Sequence, residues 1–304
     1  MRFSIIVPVY NVAPYLDECL VSLQNQEGEE DYEIICVNDG STDNSRNILA
    51  SWERKCSNIK VIDRENGGLS AARNTGLNAA SGKYVLFVDS DDRVATSMLH
   101  QLSSEVDGTD MVCFACSRMA NEAIDTLSPE QSTGWDYYNR HALEKRNVPF
   151  VCVWQRCYRR EFLSENNLRF REGILHEDNE FTPRVCLKAR DVKVIPDVLY
   201  HYRVRTGSIM TSQDMRRKES LVTIGNELSK LFADEKKIDK TTVYRALTQY
   251  YQMAFIDNSR EEDQHLLPMV NRDCHRLVSR TKLRHRINFF LIHTNPTLYR
   301  RLFK

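Results

Sequence analysis

The first 116 residues alternate short apolar runs with segments of helical periodicity, and this alternation restricts the fold more than any other feature of the chain. The apolar runs, rich in β-branched side chains, lie at residues 3–10, 33–38, 59–62, 84–89 and 110–116. Strands that alternate with helices are joined by crossover connections, which produce a mainly parallel sheet with helices on its faces. We therefore predict an α/β fold whose ligand binds outside the carboxyl ends of the strands.

The pattern becomes less regular in the second half of the chain. The elements predicted there are strands at residues 151–158 and 198–204 and a helix at residues 177–189. From about residue 213 the sequence is helical and polar. We predict one α/β domain over residues 1–211 and a helical C-terminal region over residues 212–304.

The composition excludes several classes of protein. Lys and Arg number 42 and Asp and Glu number 42, so the net charge is zero, which argues against non-specific binding to nucleic acid. No apolar stretch approaches the ~20 residues of a membrane-spanning helix.

The nine cysteines lie singly in apolar stretches, as in a reducing compartment. Cys113 and Cys116 form a CxxC pair that a redox or zinc site would also contain, but their apolar context predicts buried strand cysteines. We expect a cytoplasmic protein that at most rests on the inner face of a membrane.

Acidic residues follow two of the predicted strands. The second strand runs into Asp39-Gly40-Ser41-Thr42-Asp43, and the fourth ends in Asp89-Ser90-Asp91-Asp92. Carboxylates this close repel one another unless a cation or hydrogen-bond donors compensate them. Their oxygens suit Mg²⁺ or Mn²⁺, which commonly binds one or two carboxylates together with substrate phosphates. The alternative is that one or two of these acids cap the helix that begins near Thr96.

A glycine pair precedes the third predicted helix. Gly67 and Gly68 allow the backbone to approach a ligand closely, and the helix that follows favours an anion at its first turn. Arg73 lies about one turn into this helix. The segment is neither the GxGxxG of a dinucleotide-binding fold nor a P-loop, so both classes are disfavoured.

Four segments in this order, at residues 7–11, 37–43, 66–76 and 87–92, resemble those of family 2 glycosyltransferases. The resemblance is specific over residues 3–100 and looser as far as residue 211. It implies the GT-A fold, a Rossmann-like sheet flanked by helices, and an inverting enzyme that uses a nucleotide-sugar donor. A hexosyl- or N-acetylhexosaminyltransferase of bacterial cell-surface polysaccharide synthesis is the function that it implies.

The resemblance also assigns residues to the donor site. Pro8, Tyr10 and Asp39 would line the nucleotide pocket, with Asp39 accepting the N3–H of uracil, which favours a UDP-sugar. Arg73 would lie near the diphosphate or the ribose. Asp89-Ser90-Asp91 matches the DXD motif, with Asp91 as ligand of Mn²⁺ or Mg²⁺ and Asp89 as a second ligand nearer the ribose. The alternatives are a turn-forming role for Asp39 and a surface charge for Arg73.

Glu177 and Asp178 resemble the acidic pair of the same family. Asp178 would take the proton from the acceptor hydroxyl, and Glu177 would orient that hydroxyl or hold the acceptor sugar. A hydroxyl is a poor nucleophile until a base removes its proton. Both residues are also first-turn acids that a helix dipole favours, and this second interpretation is compatible with the first.

Later segments resemble the family less closely. Trp154 would stack on an acceptor sugar or fill the core, and Gln155-Arg156 departs from the Asn-Lys pair that often follows this tryptophan. Arg203, Arg205 and Ser208 match a closing segment that would cover the diphosphate. His201 is a candidate third metal ligand, although a packed strand histidine is the simpler interpretation.

Residues 280–304 contain seven basic residues and no acidic one, with apolar side chains between them. This mixture is typical of a basic amphipathic segment on an anionic membrane surface, and a helix packed on the catalytic domain or in an oligomer interface is the alternative. A membrane contact would suit an enzyme with a lipid-linked acceptor.

We therefore expect an inverting transferase that moves a sugar from a UDP-sugar to a hydroxyl of a glycan or lipid-linked acceptor. Two other functions are considered. A sugar-nucleotide pyrophosphorylase is expected to carry a glycine-rich, lysine-containing loop after the first strand, where this chain has Asn11-Val12-Ala13-Pro14. A catalytically inactive GT-A module is disfavoured because the acids at residues 39, 89, 91 and 178 are all present.

Overall fold

A computed structural model describes residues 1–119, 124–125, 127–141, 151–204, 215–233, 240–255, 266, 268–271, 274, 277 and 281–303. The strands are β1 (Phe3–Val9), β2 (Tyr32–Asp39), β3 (Ile59–Arg64), β4 (Tyr84–Phe87), β5 (Arg93–Val94), β6 (Met111–Arg118), β7 (Ile124–Asp125), β8 (Glu130–Ser132), β9 (Arg156–Arg159) and β10 (Val192–Tyr202). The helices are α1 (Ala13–Gln24), α2 (Ser45–Lys55), α3 (Leu69–Ala79), α4 (Met98–Glu105), α5 (Gly134–His141), α6 (Arg160–Glu165), α7 (Asp178–Lys188), α8 (Met215–Ala233), α9 (Lys240–Phe255), α10 (Leu283–Thr294) and α11 (Pro296–Phe303).

The strands form one ten-stranded sheet with the order β3-β2-β1-β4-β9-β6-β10-β5, in which β7 pairs with β6 and β8 with β10. The four longest ladders, β1 with β2, β2 with β3, β1 with β4 and β6 with β10, are parallel. The predicted α/β fold with a mainly parallel sheet is therefore confirmed. The short strand β9 runs antiparallel between β4 and β6, and the alternation of strands and helices did not predict this reversal.

Helices cover both faces of the sheet because its central strands are apolar on both sides. Successive residues of β1 alternate between two buried clusters: Ile6 packs on the face that holds α3, and Ile5 and Val7 pack on the face that holds α1. Gly76 lets α3 lie close to β1, since a Cβ atom there would be 2.3 Å from Cγ2 of Ile6. The helices on the two faces thus hold the parallel strands, and with them the ends of these strands, in position.

Several predicted elements have other bounds than expected, among them the strand predicted at residues 198–204, which spans Val192–Tyr202. The fourth strand stops at Phe87, so residues 88–92 form a turn beyond it. Residues 153–155, predicted as strand, form a 3-10 turn before β9. Cys113 and Cys116 are confirmed as buried strand cysteines, because they point to opposite faces of β6 and are at most 1% exposed.

The C-terminal helices share a core with the α/β layer. α8 packs against α7 and α9, and Leu221 of α8 and Tyr251 of α9 belong to the same apolar cluster as Phe181 of α7. The predicted boundary at residue 211 lies outside the described residues, so the division into two domains stays a prediction. Among the helices that the structure describes, none has both the length and the apolar character needed to cross a bilayer.

Candidate functional site

The carboxyl ends of β1, β2 and β4 meet at one edge of the sheet, as their parallel pairing requires. Oδ1 of Asn11, after β1, accepts a hydrogen bond from the backbone N–H of Thr42, after β2, at 2.8 Å. Oδ2 of Asp43 accepts one from the N–H of Ala13 at 2.9 Å. Pro8 is buried within β1, whereas Tyr10 is 50% exposed at this edge. Tyr10 is therefore exposed at this edge, beside the loops after β1 and β2, which these hydrogen bonds join.

Asp39 ties the glycine pair to the end of β2. Its Oδ1 accepts the N–H of Gly67 at 3.0 Å, and its Oδ2 accepts the N–H of Gly68 at 2.8 Å. The Nε of Arg64 also lies 3.0 Å from Oδ1, and Asp39 is 2% exposed. Asp39 therefore holds the glycine segment that leads into α3. Its contact with uracil stays a prediction.

Arg73 is a buried cation between two acidic segments. Its Nη2 donates to Oδ1 of Asp89 at 2.6 Å, and its Nη1 donates to Oε1 of Glu177. The guanidinium also lies 5.4 Å from the ring centroid of Phe170. Because Arg73 is 2% exposed, the alternative of a surface charge is wrong. The structure thus joins the predicted DXD turn to the predicted acidic pair through one residue.

Glu177 and Asp178 lie at the start of α7 in different environments. Glu177 is buried and paired with Arg73. Oδ1 of Asp178 accepts hydrogen bonds from the N–H and the Nδ2 of Asn179, at 2.8 and 3.0 Å. Burial, and then the charge of Glu177, raise the pKa of Asp178 to about 7, although Arg73 acts in the opposite direction. A carboxylate with a pKa near neutrality is suited to act as a general base.

Asp92 belongs to the framework of the acidic turn. Its Oδ2 accepts the hydroxyl of Tyr200 at 2.6 Å, and its Oδ1 accepts the N–H of Arg203 at 2.7 Å. Burial, followed by the charges of Asp91 and Asp89, raises the pKa of Asp92 well above its ordinary value. Because α4 begins at Met98 and lacks a side-chain cap, the helix-capping alternative is wrong.

Arg203, predicted to cover the diphosphate, lies beside the acidic turn. Its Nε donates to the carbonyl oxygen of Asp91 at 2.8 Å, and its Nη2 donates to Oε2 of Glu18 at 2.5 Å. The guanidinium lies 5.3 Å from the ring centroid of Tyr15. Arg205 and Ser208, the other members of the predicted closing segment, lie outside the described residues.

The acidic turn fits a divalent cation. The side chain of Asp89 is 25% exposed, and Asp91 is also partly exposed. After burial, which has the largest effect, their charges help to raise the pKa of the neighbouring Asp92. Over the part of the chain that the structure describes, no three His, Cys, Asp or Glu side chains form a complete metal site. A cation held here would take its other ligands from water or from phosphate oxygens.

Two candidate ligand residues pack within the protein. Trp154 is 5% exposed and stacks on Tyr200 and Tyr202, with centroid distances of 4.3 and 5.6 Å. This fits the core-packing interpretation, and a contact of Trp154 with the acceptor stays a prediction. Nδ1 of His201 lies 2.7 Å from Oγ of Ser117. Because His201 alternates with Tyr200 along β10, it faces away from Asp92, as a packed strand histidine would.

Three residues near the site were missed in the sequence. Tyr200 binds Asp92, Glu18 binds Arg203, and Asn179 binds Asp178. Asn179 is adjacent to the acidic pair and could have been suspected. Glu18 and Tyr200 reach the site from other elements, and no local spacing indicates such contacts.

A cavity of ≈ 800 Å³ lies at the opposite edge of the sheet. Its lining includes Trp135 and the ion pair of Asp110 with Arg159, whose nitrogen and oxygen are 2.7 Å apart. Asp110 precedes β6, so this cavity adjoins the amino end of a strand. None of the predicted site residues lines it, and we place the candidate site at the carboxyl edge, where the acidic segments meet.

Comparisons with known proteins show which proteins this chain resembles. The model of glycosyl transferase family 2 matches residues 4–166. The uncharacterized glycosyltransferase EpsJ of Bacillus subtilis is 37% identical over 68% of this chain and 62% of its own length. The poly(ribitol-phosphate) beta-N-acetylglucosaminyltransferase TarS of Staphylococcus aureus is 30% identical over 70% of this chain and 37% of its own length. The chain thus spans only part of these relatives.

Solved structures show the same fold. Residues 1–349 of S. aureus TarS with UDP-GlcNAc match with a TM-score of 0.75 and 24% identity, over 99% of this chain and 90% of that one. The mannosyltransferase PcManGT of Pyrobaculum calidifontis, with GDP-Man and Mn²⁺, matches with a TM-score of 0.58 and 18% identity, over 99% and 83% of the two chains. The expected GT-A fold is confirmed, including its C-terminal helices.

The buried ion pairs of Arg73 give a prediction for stability. Arg73→Met leaves the carboxylate of Glu177 buried without its partner, and we expect it to lower the free energy of unfolding by about 3–5 kcal/mol. Arg46→Met is the matched control, because Arg46 pairs with Asp63 where both side chains are exposed, and its loss should cost less than about 1 kcal/mol. Urea denaturation measures both, and equal losses would contradict the importance of the buried pairs.

Proposed function

The chain belongs to glycosyl transferase family 2, and on that premise we propose that it transfers a sugar from a UDP-sugar to a hydroxyl of a glycan or lipid-linked acceptor, with inversion at the anomeric carbon. The observation that carries the proposal is the buried contact of Arg73 with both Asp89 and Glu177. Because Glu177 is adjacent to Asp178, whose pKa is raised to about 7, this contact supports a site that combines the predicted donor turn with a base. Complexes of TarS with UDP and UDP-GlcNAc support a UDP-sugar as donor.

The proposed acceptor is a polymeric or lipid-linked glycan. Two relatives are named as poly(ribitol-phosphate) glycosyltransferases, which supports a surface polymer as acceptor and a hexosyl or N-acetylhexosaminyl group as the transferred sugar. The rival pyrophosphorylase function has less support, because β1 leads directly into Asn11 and α1 without a glycine-rich, lysine-containing loop. An inactive module is disfavoured by the contacts that gather the acidic residues at one edge.

In the proposed mechanism Asp178 is the base. Its Oδ1 is held by Asn179, and within the described residues its Oδ2 has no hydrogen-bond partner. Oδ2 takes the proton of the acceptor hydroxyl while the hydroxyl oxygen forms a bond to the anomeric carbon. The bond from that carbon to the phosphate oxygen breaks, and UDP leaves with the electron pair. A single displacement inverts the configuration at this carbon.

The leaving diphosphate needs positive charge. We propose that Arg203, which lies beside the acidic turn, stabilises it. We propose Asp91 and Asp89 as the ligands of Mn²⁺ or Mg²⁺. The positive charge of the bound ion would neutralise the negative charge of the departing phosphates. Mn²⁺ in a structural neighbour supports this assignment.

Release of UDP tests the proposed activity. With Mn²⁺ or Mg²⁺, we expect UDP release from at least one member of a panel of UDP-sugars supplied with glycan and lipid-linked acceptors. Asp91→Asn should reduce the rate at least about 100-fold, since it weakens the stabilisation of the leaving group. Asp197→Asn, at an exposed residue of β10, is the control and should leave the rate unchanged. Background release throughout the panel would refute the enzymatic function.

The pKa of Asp178 predicts the direction of the pH dependence. A base is active only when it is deprotonated, and the pKa of Asp178 is raised to about 7. The kcat/KM of the enzyme should therefore fall about tenfold per pH unit below pH 7 and level off above it. We expect Asp178→Asn to abolish this acid limb and to lower kcat by about 100- to 10,000-fold. A profile that stays flat down to pH 5 would exclude Asp178 as the base.

We further propose that α10 and α11 contact an anionic membrane surface. Leu283, Ile287 and Phe290 form an exposed stripe on α10, spaced four and three residues apart, while Phe289 and Ile292 on the other side are fully buried. Leu298 and Leu302 extend the exposed apolar surface on α11. Residues 281–303 contain no acidic side chain, so the basic residues around the stripe complement anionic lipid.

Vesicle binding tests this surface. The full chain should sediment with phosphatidylglycerol vesicles more than with phosphatidylcholine vesicles, and added salt should weaken the binding. The triple variant L283S/I287S/F290S should release the protein from the vesicles, whereas Val21→Ser, which removes an exposed apolar residue of α1, should not. If the triple variant instead dissociates a dimer and vesicles bind neither protein, the stripe joins two chains and the membrane proposal fails.

A further inference from the structure

The segment that carries Glu177 and Asp178 is attached to the C-terminal helices. The backbone N–H of Leu175 donates to Oγ of Ser220 in α8 at 3.0 Å, and Nε of Arg217 in α8 donates to Nε2 of His176 at 3.1 Å. His176 has a φ of +61°, a left-handed conformation that is uncommon for a residue other than glycine. The two contacts with α8 help to hold this backbone immediately before the acidic pair.

The contact with Arg217 requires a neutral imidazole. A guanidinium only donates hydrogen bonds, so Nε2 of His176 must be the acceptor. Burial, together with the nearby charge of Arg217, lowers the pKa of His176 to about 4. The imidazole therefore remains neutral at any pH well above 4, and this contact persists throughout the range in which the enzyme is expected to work.

A second connection reaches Asp178 itself from α9. The hydroxyl of Tyr250 donates to Oδ1 of Asn179 at 3.1 Å. The Nδ2 of Asn179 then faces Oδ1 of Asp178 at 3.0 Å and the carbonyl oxygen of His176 at 3.3 Å. Tyr250 is 4% exposed. A buried hydroxyl of the C-terminal region thus helps to determine which end of the Asn179 amide is turned to Asp178.

We propose that Tyr250 is a positioning residue for Asp178, acting through Asn179, so that the C-terminal helices complete the active site. The role of Asp178 as base rests on the proposed function. The hydrogen-bonded chain from Tyr250 to Asp178 does not depend on it. With the amide in this orientation, Asn179 occupies Oδ1 of Asp178 and directs Oδ2 toward the acceptor.

The amide orientation also affects the protonation of Asp178. The other groups that act on this carboxyl are Glu177 beside it, Arg73 of α3 and Asp89 after β4, and its charge in turn acts on Cys152 and Tyr250. Without the hydroxyl of Tyr250, Oδ1 of Asn179 loses its donor, and the amide rotates more readily because its orientation then depends on the contacts of Nδ2 with Asp178 and His176. Rotation brings an oxygen instead of an N–H toward Asp178, which disfavours the carboxylate and raises its pKa.

Tyr250→Phe tests the proposal against a matched control. Tyr251 is the next residue of α9, equally buried, and its hydroxyl donates to Oδ1 of Asn226 at 2.9 Å, outside the acidic segment. We expect Tyr250→Phe to lower kcat about 3- to 10-fold, the usual effect of one neutral hydrogen bond, and to move the acid limb to higher pH. Tyr251→Phe should leave both unchanged, while each variant lowers Tm by about 2–4 °C.

A direct titration separates this proposal from the proposed function. The ¹³C signal of the Asp178 carboxyl, assigned by its absence in Asp178→Asn, reports its pKa without any turnover. A rise of this pKa in Tyr250→Phe but not in Tyr251→Phe supports the positioning role even if no UDP-sugar is a substrate. An unchanged pKa and an unchanged acid limb in Tyr250→Phe would overturn it, as would equal effects of the two variants.

Discussion

The burial of one guanidinium sets the arrangement of the candidate site. Arg73 is 2% exposed, and a charge removed from water is tolerated only when opposite charges compensate it. Its partners, Asp89 and Glu177, follow it by 16 and 104 residues. Burial opposes the charge of Arg73, but these two carboxylates outweigh that effect and raise its pKa. The helix α3, the turn after β4 and the start of α7 are therefore held together by a requirement of charge.

The need to compensate the buried charge of Arg73 also gives the adjacent acids Glu177 and Asp178 different roles. Glu177 accepts a hydrogen bond from Arg73, while Asp178 lies beside this ion pair and, among the described residues, accepts hydrogen bonds from the N–H and the Nδ2 of Asn179. Since burial and Glu177 raise the pKa of Asp178 to about 7, one acid remains available for proton transfer. A structural role for the first acid thus supports the proposed catalytic role of the second.

The sequence predicted the elements whose pattern is local. Apolar runs indicated β1, β2 and β3, and the parallel topology placed the loops after β1, β2 and β4 at one edge. Features that depend on distant contacts were not predictable: Arg73 looked like a possible surface charge and Asp92 like a helix cap, because their partners lie elsewhere in the chain. Trp154 could not be assigned either, since its stacking on Tyr200 and Tyr202 is decided only when β10 packs.

The C-terminal helices belong to the site as much as to the core. Leu221 and Tyr251 bury their side chains in the apolar cluster that supports α7, and Arg217, Ser220 and Tyr250 contact the residues around the acidic pair. If the same helices contact a membrane through the exposed stripe of α10, the helical region that holds the acidic segment would also be the region that faces a lipid-linked acceptor. A single helical region would then both orient the proposed base and contact the membrane that carries its substrate, while sharing its core with the α/β layer.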